Sequence, residues 1–349
     1  MRLVSLPVQI IQIPEGIILK RGSVETIITG TGACESVKIV LEQTARNGGA
    51  TVEAIHSRFA RSSRRYVSKL LSELIDRRFL MAENSISHTD VTDERNQLGV
   101  YHWHFNLSNQ TAMERLKQIR FAILGINSVS RQLVRTLQVC GLNNLCVVDH
   151  VSHRNPHFFD EAGSLRRNEW SRPLPNPIRS NAEFTVQSID CLVATSDVGS
   201  LAIFSEWNKQ SLEHGSHFMP VILKDMIGYV GPMIVPGEGA CYDCLLTRMS
   251  SNSIHREIDK LVEDAGHEHG RVVGFHPAMA SVLGDIAAFQ LTAFYSQISV
   301  GRAIGQLLEV NLLGSTMKER AVLRVPRCAA CGLLRQKGRT NLYKTVLQP

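Results

Sequence analysis

Nowhere in the 349 residues does an apolar run reach the length of a membrane span, and the N-terminus lacks a basic-then-apolar signal pattern. Both absences predict a cytoplasmic protein without membrane attachment. A strong charge excess is also missing. The formal charge of +6 permits an acidic partner without demanding one, and argues against a dedicated nucleic-acid binder. No internal repeat or low-complexity tract stands out. A disulfide framework is not expected without a signal peptide, although eight cysteines are present. Four of them fall in CxxC pairs, which points to metal. What remains is a globular composition, 44% hydrophobic and 20% charged, long enough for one large domain or two ordinary ones.

Two folded regions are predicted, joined by a polar stretch. Residues 8–13 (VQIIQI), 16–20 (GIILK) and 24–28 (VETII) are β-rich runs separated by hairpin-length turns at Pro14-Glu15-Gly16 and Arg21-Gly22-Ser23. Helices are expected over 33–46, 51–59 and 64–79, the last with Ser63 as its N-cap. In that third helix Val67, Leu70, Leu71, Leu74 and Ile75 form one apolar stripe, while Arg64, Arg65, Ser68, Lys69 and Ser72 share another face. Three strands and three helices in this order suggest a small winged-helix-like α+β domain over 1–82. Residues 83–118 read as a connector, partly ordered around Tyr101 to Phe105. From there the pattern is α/β: strands at IDCLVAT and FMPVIL, a helix near 200–214, antiparallel strands in IGYVGPMIVPGEGACYDC, and a buried Ala-rich helix over 278–296.

Cys241, Cys244, Cys328 and Cys331 are the strongest chemical signal. Each CxxC lets two thiolates reach one ion from a single knuckle, and two knuckles complete the tetrahedral sulfur shell of structural zinc. Four sulfurs leave no open position, so a structural metal is expected rather than a catalytic one. Cys34, Cys140, Cys146 and Cys191 sit inside apolar patterns and read as core residues. The alternating pairs His102/His104 and His267/His269 would share a face in a strand, but no third ligand is in sight. They read as solvated loop histidines.

Residues 121–149, FAILGINSVSRQLVRTLQVCGLNNLCVVD, have the frame of a mononucleotide-binding β-α-β unit. One apolar run ends at Gly125 and a second ends at Asp149, with a helical stretch between. Where further glycines would let a phosphate approach, the chain has Asn127, Ser128 and Ser130, whose Cβ atoms obstruct that approach. ATP is not expected to bind tightly.

This unit, DCLVATSD, GYVGPMIVPGEGACYDC, HPAMASVLGDIAAF and RVPRCAACG follow one another in the order seen in ThiF-like, ubiquitin-activating-enzyme-like proteins. The resemblance covers 119–335 and implies a Rossmann-like α/β domain with structural zinc, followed by a tail over 336–349. Active members carry GxGGxG, a DxD at the end of the second strand and a later aspartate, and adenylate a C-terminal carboxylate. This chain keeps Gly125, Asp149 and Asp197, which the resemblance marks as a vestigial nucleotide site, and has Val151 in place of the second aspartate. The N-terminal region is similar to the leader-peptide recognition module of azoline-forming systems. There a ThiF-like partner binds the leader of a ribosomally made precursor and presents its core to a YcaO-type cyclodehydratase. No YcaO-like region is present, so that enzyme would be a separate chain. The same resemblance implies a flavin-dependent azoline dehydrogenase as a further partner, and a homodimer or hetero-oligomer.

Leader capture has a plain physical route. Val24, Glu25, Thr26, Ile27 and Ile28, on an edge strand, offer unpaired backbone groups to an added strand. Arg64, Arg65, Ser68, Lys69 and Ser72 would line a groove suited to an acidic leader, with no catalytic residue of the chain's own. Two alternatives remain: an active ThiF-like adenylyltransferase, and a winged-helix DNA-binding regulator whose basic third helix enters the major groove.

Overall fold

The computed structural model describes residues 2–45, 49–82, 97–172, 178–180, 182–198, 202–255, 257–258, 261–262 and 274–332. The chain folds as two units, Met1–Arg115 and Leu116–Pro349. In the first, β2 (Gln9–Ile13), β3 (Gly16–Arg21) and β4 (Val24–Thr29) form an antiparallel meander in the order β2-β3-β4, so β4 lies at an edge. A second small sheet sets β1 (Arg2–Ser5) between β5 (Ala50–Thr51) and β6 (Leu80–Ala82), three short strands that the sequence pattern did not reveal. Helices α1 (Thr31–Ala45), α2 (Val52–His56) and α3 (Arg64–Asp76) close over one core containing Leu3, Ile17, Leu19, Val37, Ile55, Val67 and Leu71.

Several sequence expectations shift here. Ser63 is not a side-chain N-cap: it ends a 3-10 turn, Arg61–Ser63, that leads into α3 without a capping bond. The supposed connector contains α4 (Gln97–His104) and α5 (Asn109–Gln118). In α4, residues two apart do not share a face, so His102 and His104 diverge. His102 is buried, with its Nδ1 3.0 Å from Asn109 Oδ1, and His104 Nδ1 lies 3.3 Å from Ser23 Oγ. His267 and His269 lie outside the described residues.

The second unit is an eight-stranded sheet with the order β14-β13-β12-β11-β10-β7-β8-β9. Its parallel part comprises β7 (Phe121–Leu124), β8 (Leu145–Asp149), β9 (Ile178–Ser180), β10 (Cys191–Ser196) and β11 (His217–Lys224). β7 and β10 are buried along their whole length, as strands covered on both faces must be. An antiparallel extension adds β12 (Ile227–Val230), β13 (Gln306–Asn311) and β14 (Thr316–Ala321). The helices are α6 (Ser128–Val139), the short α7 (Arg167–Trp170), α8 (Ile203–His214), α9 (Tyr242–Asn252), α10 (Pro277–Tyr295) and α11 (Val300–Ala303).

Helix α10 packs against α6, β11 and β12, and half of its apolar length is buried there, which marks it as a core helix although its length and composition would also allow a membrane span. Its contact with α6 is close. A Cβ on Gly284 would stand 2.8 Å from Gln132 Cβ, 2.8 Å from Leu133 N and 2.9 Å from Val129 O. Of the remaining cysteines Cys191 is fully buried in the sheet, while Cys34, Cys140 and Cys146 are half-buried.

Candidate functional site

In an open parallel sheet the ligand crevice lies where strand order reverses, beyond the carboxyl ends of the strands. Here the chain runs outward from β7 to β8 and β9, then returns to β10 and β11 on the other side. The reversal falls between β7 and β10. Gly125 stands just past the end of β7 and Asp197 just past the end of β10, while Asp149 closes β8 alongside. The three residues singled out in the sequence thus stand at the carboxyl ends of the neighbouring strands β8, β7 and β10.

The residues standing in place of glycines build the floor of that crevice. Asn127 is the N-cap of α6: its side-chain oxygen accepts from the Ser130 N–H at 2.9 Å, and the Ser130 hydroxyl accepts from the Asn127 N–H at 3.0 Å. This reciprocal box satisfies donors that a helix start otherwise leaves open. The Asn127 amide nitrogen donates to the Thr195 carbonyl and hydroxyl, both at 3.0 Å, and to the His153 carbonyl at 3.4 Å. The Thr195 hydroxyl donates to the Leu124 carbonyl at 2.8 Å, and the Trp170 indole N–H donates to the Asn127 carbonyl at 3.2 Å. Side chains therefore stitch β7, β10 and α6 together. Gly125 has φ of +100°, and a Cβ there would meet Asn127 Nδ2 and the Thr195 carbonyl oxygen at 2.8 Å. Local packing alone requires this glycine.

Asp197 occupies the start of α6. Its Oδ2 accepts from the Ser128 N–H at 2.8 Å and from Asn155 Nδ2 at 3.0 Å, while Oδ1 is buried with no hydrogen-bond partner among the described residues. Burial pushes this carboxyl above the usual aspartate range, against the opposing pull of the Asn155 and Ser128 hydrogen bonds. Asp149 is engaged in turn. Arg154 grips it in a two-pronged ion pair, Nε to Oδ1 at 2.8 Å and Nη2 to Oδ2 at 2.7 Å, with the guanidinium 4.6 Å from the Phe159 ring centre. That hydrogen bonding holds Arg154 above the ordinary arginine value.

Asn155, Arg154, Thr195 and Trp170 are site residues that the sequence reading did not place. One signal for Asn155 was available: Asn-Pro is a turn initiator, and its side-chain oxygen accepts from the His157 N–H at 3.0 Å. A phosphate at this helix start would need the N–H groups held by Asp197 and Asn127. The acid suited to a ribose hydroxyl is held by Arg154. In this arrangement the residues do not fit a bound nucleotide.

The four-cysteine cluster, a candidate metal site, lies between α9 and the loop after β14. Cys241, Cys244, Cys328 and Cys331 are all buried, and their sulfurs lie within 4.8 Å of one another. The Cys241–Cys244 and Cys241–Cys328 sulfurs are 3.7 Å apart and the Cys244–Cys331 sulfurs 3.6 Å. A tetrahedron of thiolates about 2.3 Å from a zinc ion has edges of about 3.8 Å, so the donor set and its spacing fit such an ion. The knuckle is also supported from outside: the Val325 N–H points to Cys244 Sγ at 3.3 Å. A Cβ on Gly332 would strike the Cys328 carbonyl oxygen at 2.5 Å, which explains the glycine after the second pair. Hydrogen bonds from neighbouring thiols, Cys241 first, hold Cys331 down at about 5, and the bond to Cys331 together with burial holds Cys241 up. Metal binding would displace the thiol protons.

In the first unit, Val24 to Ile28 form most of β4 and alternate in exposure. Ile27 is 59% exposed, while Val24 and Ile28 pack on the margin of the core. Glu25 pairs with Lys20 at 3.2 Å. Arg64, Arg65, Ser68, Lys69 and Ser72 all lie on the exposed face of α3, where Ser68 Oγ is 3.2 Å from His56 Nε2. The helix packed along β3 and β4 is α1, whereas α3 packs on β6.

No protein-family profile and no curated protein matches this chain. Solved structures do. A crystal structure of E. coli MccB with ATP superposes with a TM-score of 0.65 over 95% of this chain and 100% of that one, at 14% identity. A complex of E. coli MccB with MccA gives a TM-score of 0.65 with the same coverage and identity. The heterocyclase TruD gives 0.61 at 18% identity over 95% of this chain, but only 43% of TruD. The chain shares the ThiF-like fold of these proteins; at such identities the likeness speaks for the fold alone.

Proposed function

We propose that this chain is a non-catalytic, leader-peptide-binding subunit in the modification of a ribosomally made peptide, and that a separate YcaO-type cyclodehydratase performs the ATP-dependent azoline formation. The observation that carries this reading is that the chain's own side chains satisfy the start of α6 at the switch point. Asp197 holds the N–H at the start of α6, Asn127 and Ser130 cap the helix against each other, and Arg154 holds Asp149. The likeness to TruD, a heterocyclase, supports the setting; this chain spans 43% of that protein.

In this reading the first unit is a winged-helix-like leader module. The leader adds as a further strand to the open edge of β4, and Arg64, Arg65 and Lys69 favour acidic residues in it. Holding the precursor raises the local concentration of its core at the partner's active site. Zinc at the four cysteines ties the C-terminal knuckle onto α9. The subunit works in the cytoplasm, as a homodimer or hetero-oligomer, alongside a flavin-dependent azoline dehydrogenase where azoles are made. The test is reconstitution. The chain alone binds leader peptide and shows no pyrophosphate exchange, and cyclisation needs both chains. Normal cyclisation of a leader-bearing substrate without this chain overturns the proposal.

A second reading, an active adenylyltransferase, is favoured by the full-length likeness to MccB, a protein whose crystals hold ATP, and by Gly125, Asp149 and Asp197 being in place. It requires Asp197 to release α6 when nucleotide arrives. Pyrophosphate exchange by the isolated chain, lost in Asp197→Ala, would decide for it.

A further inference from the structure

The second unit has an open sheet edge whose chemistry is distinct from the switch-point crevice. β14 is the outermost strand; its register with β13 uses one edge, and no strand pairs with the other among the described residues. All six of its residues are exposed. Beside it opens a cleft of about 460 Å³ with Leu245, Leu307 and Val322 as buried floor and Met249 and Leu323 as exposed wall. Leu307 sits directly across the ladder from Arg320, so Lys318 and Thr316, two and four residues back, share the cleft side. That side is basic. Arg248 and Arg320 rim the cleft, and Glu309, the acid facing Lys318 across the ladder, is gripped by Arg320 at 2.7 and 3.0 Å. The opposite side of β14 carries Met317, 59% exposed, the acid Glu319 and Ala321, so it repels carboxylates and leaves the apolar residues of an added strand to this side.

An open edge normally invites another strand. Two candidate occupants are disfavoured by charge. A second copy pairing β14 to β14 about a two-fold axis would set Lys318 and Arg320 against themselves on the same face. The chain's own segment 333–349 carries Arg335, Lys337, Arg339 and Lys344 and no acidic residue.

We propose that this edge receives an extended segment of another protein in which acidic and apolar residues alternate. Added as a strand to β14, it sets carboxylates beside Lys318 and Arg320 on one face and apolar side chains against Met317 on the other. An apolar end residue seats in the cleft against Met249 and Leu323.

The probe is a fluorescent nine-residue peptide of alternating glutamate and valine ending in phenylalanine, with a lysine–valine version as control, titrated against the full chain. The glutamate peptide is expected to bind at least tenfold more tightly than the control and to slow amide exchange over 316–321. Lys318→Glu, or Thr316→Glu where the first variant folds poorly, is expected to remove that preference, and Met249→Glu to weaken binding through the cleft. Equal binding of the two peptides, or protection of 24–29 instead of 316–321, overturns the proposal. So does a self-association that Lys318→Glu abolishes, since a second copy would then own the edge.

Discussion

Asp197 offers a stability experiment whose sign is decided by competing magnitudes. Its Oδ2 accepts two hydrogen bonds, each worth roughly 1.5–3 kcal/mol when made to a charged group. Its place at the start of α6 adds about 0.3–1 kcal/mol, or up to ~2 where partly buried. Against these stands the removal of a carboxylate from water, at several kcal/mol, with one oxygen left bare of partners among the described residues. The raised pKa says that burial wins. An acid whose folded pKa lies above its unfolded value binds more protons folded than unfolded. Its native state therefore loses stability as pH rises through the window that begins near the ordinary 3.8.

Asp197→Asn keeps an oxygen for the Ser128 and Asn155 donors and removes the charge. The Asn variant should match the wild type below that window and exceed it at pH 7. Asp197→Ala, which orphans both donors, should be less stable by about 2 kcal/mol. Urea unfolding of the three proteins at pH 3 and pH 7 measures this directly. An Asn variant less stable than wild type at pH 7 would show that the hydrogen bonds outweigh desolvation, and would refute the reasoning.

Other expectations follow from separate parts of the fold. One zinc per chain should be recovered by metal analysis and lost in Cys244→Ser. Because 87 residues separate the paired knuckles, opening that loop should cost about 4 kcal/mol, read as a fall in unfolding temperature. Gly284→Ala gains about 1 kcal/mol of helix propensity but places a methyl within 2.9 Å of the α6 backbone. Overpacking typically costs ~1–3 kcal/mol, so a net loss is expected in denaturant unfolding, and a gain would show that α6 and α10 separate easily. His217, stacked on Tyr295 with Nδ1 2.8 Å from its hydroxyl, is pushed by burial down to about 4. Since the unfolded chain takes up this proton near the ordinary 6.5, stability should be fully present above that value and fall towards pH 4. The loss amounts to at most roughly 3 kcal/mol, and His217→Gln should flatten that limb of the pH–stability curve.

The parallel core was legible because fully buried strands leave continuous apolar runs, as in FAIL and CLVAT, and because Gly125 and Asp149 punctuate them. The metal cluster was legible because CxxC fixes two ligands by covalent geometry, so that only the meeting of the two pairs remained to be found. β13 and β14 were not. β14 is exposed on every residue, so no two-residue alternation exists to read, and its partner β13 is mostly half-buried. α4 and α5 were hidden for a related reason: HWH alternates like a strand, yet Trp103 and His102 are buried from a helix. Arg154 and Asn155 could not be assigned because their roles depend on Asp149 and on Asp197, 42 residues further along the chain than Asn155.

The side chains at 127, 128 and 130 have a local role at the start of α6. A helix that starts at the switch point must satisfy its first N–H groups, and a phosphate does so only when present. Glycines leave those groups open for it. Asn127 and Ser130 satisfy each other's N–H groups and tie α6 to β10 through Thr195, and Asp197 takes the Ser128 N–H as an anion would. Capping alone would not require a carboxylate here. An asparagine at 197 would offer an oxygen to the same two donors without burying a charge.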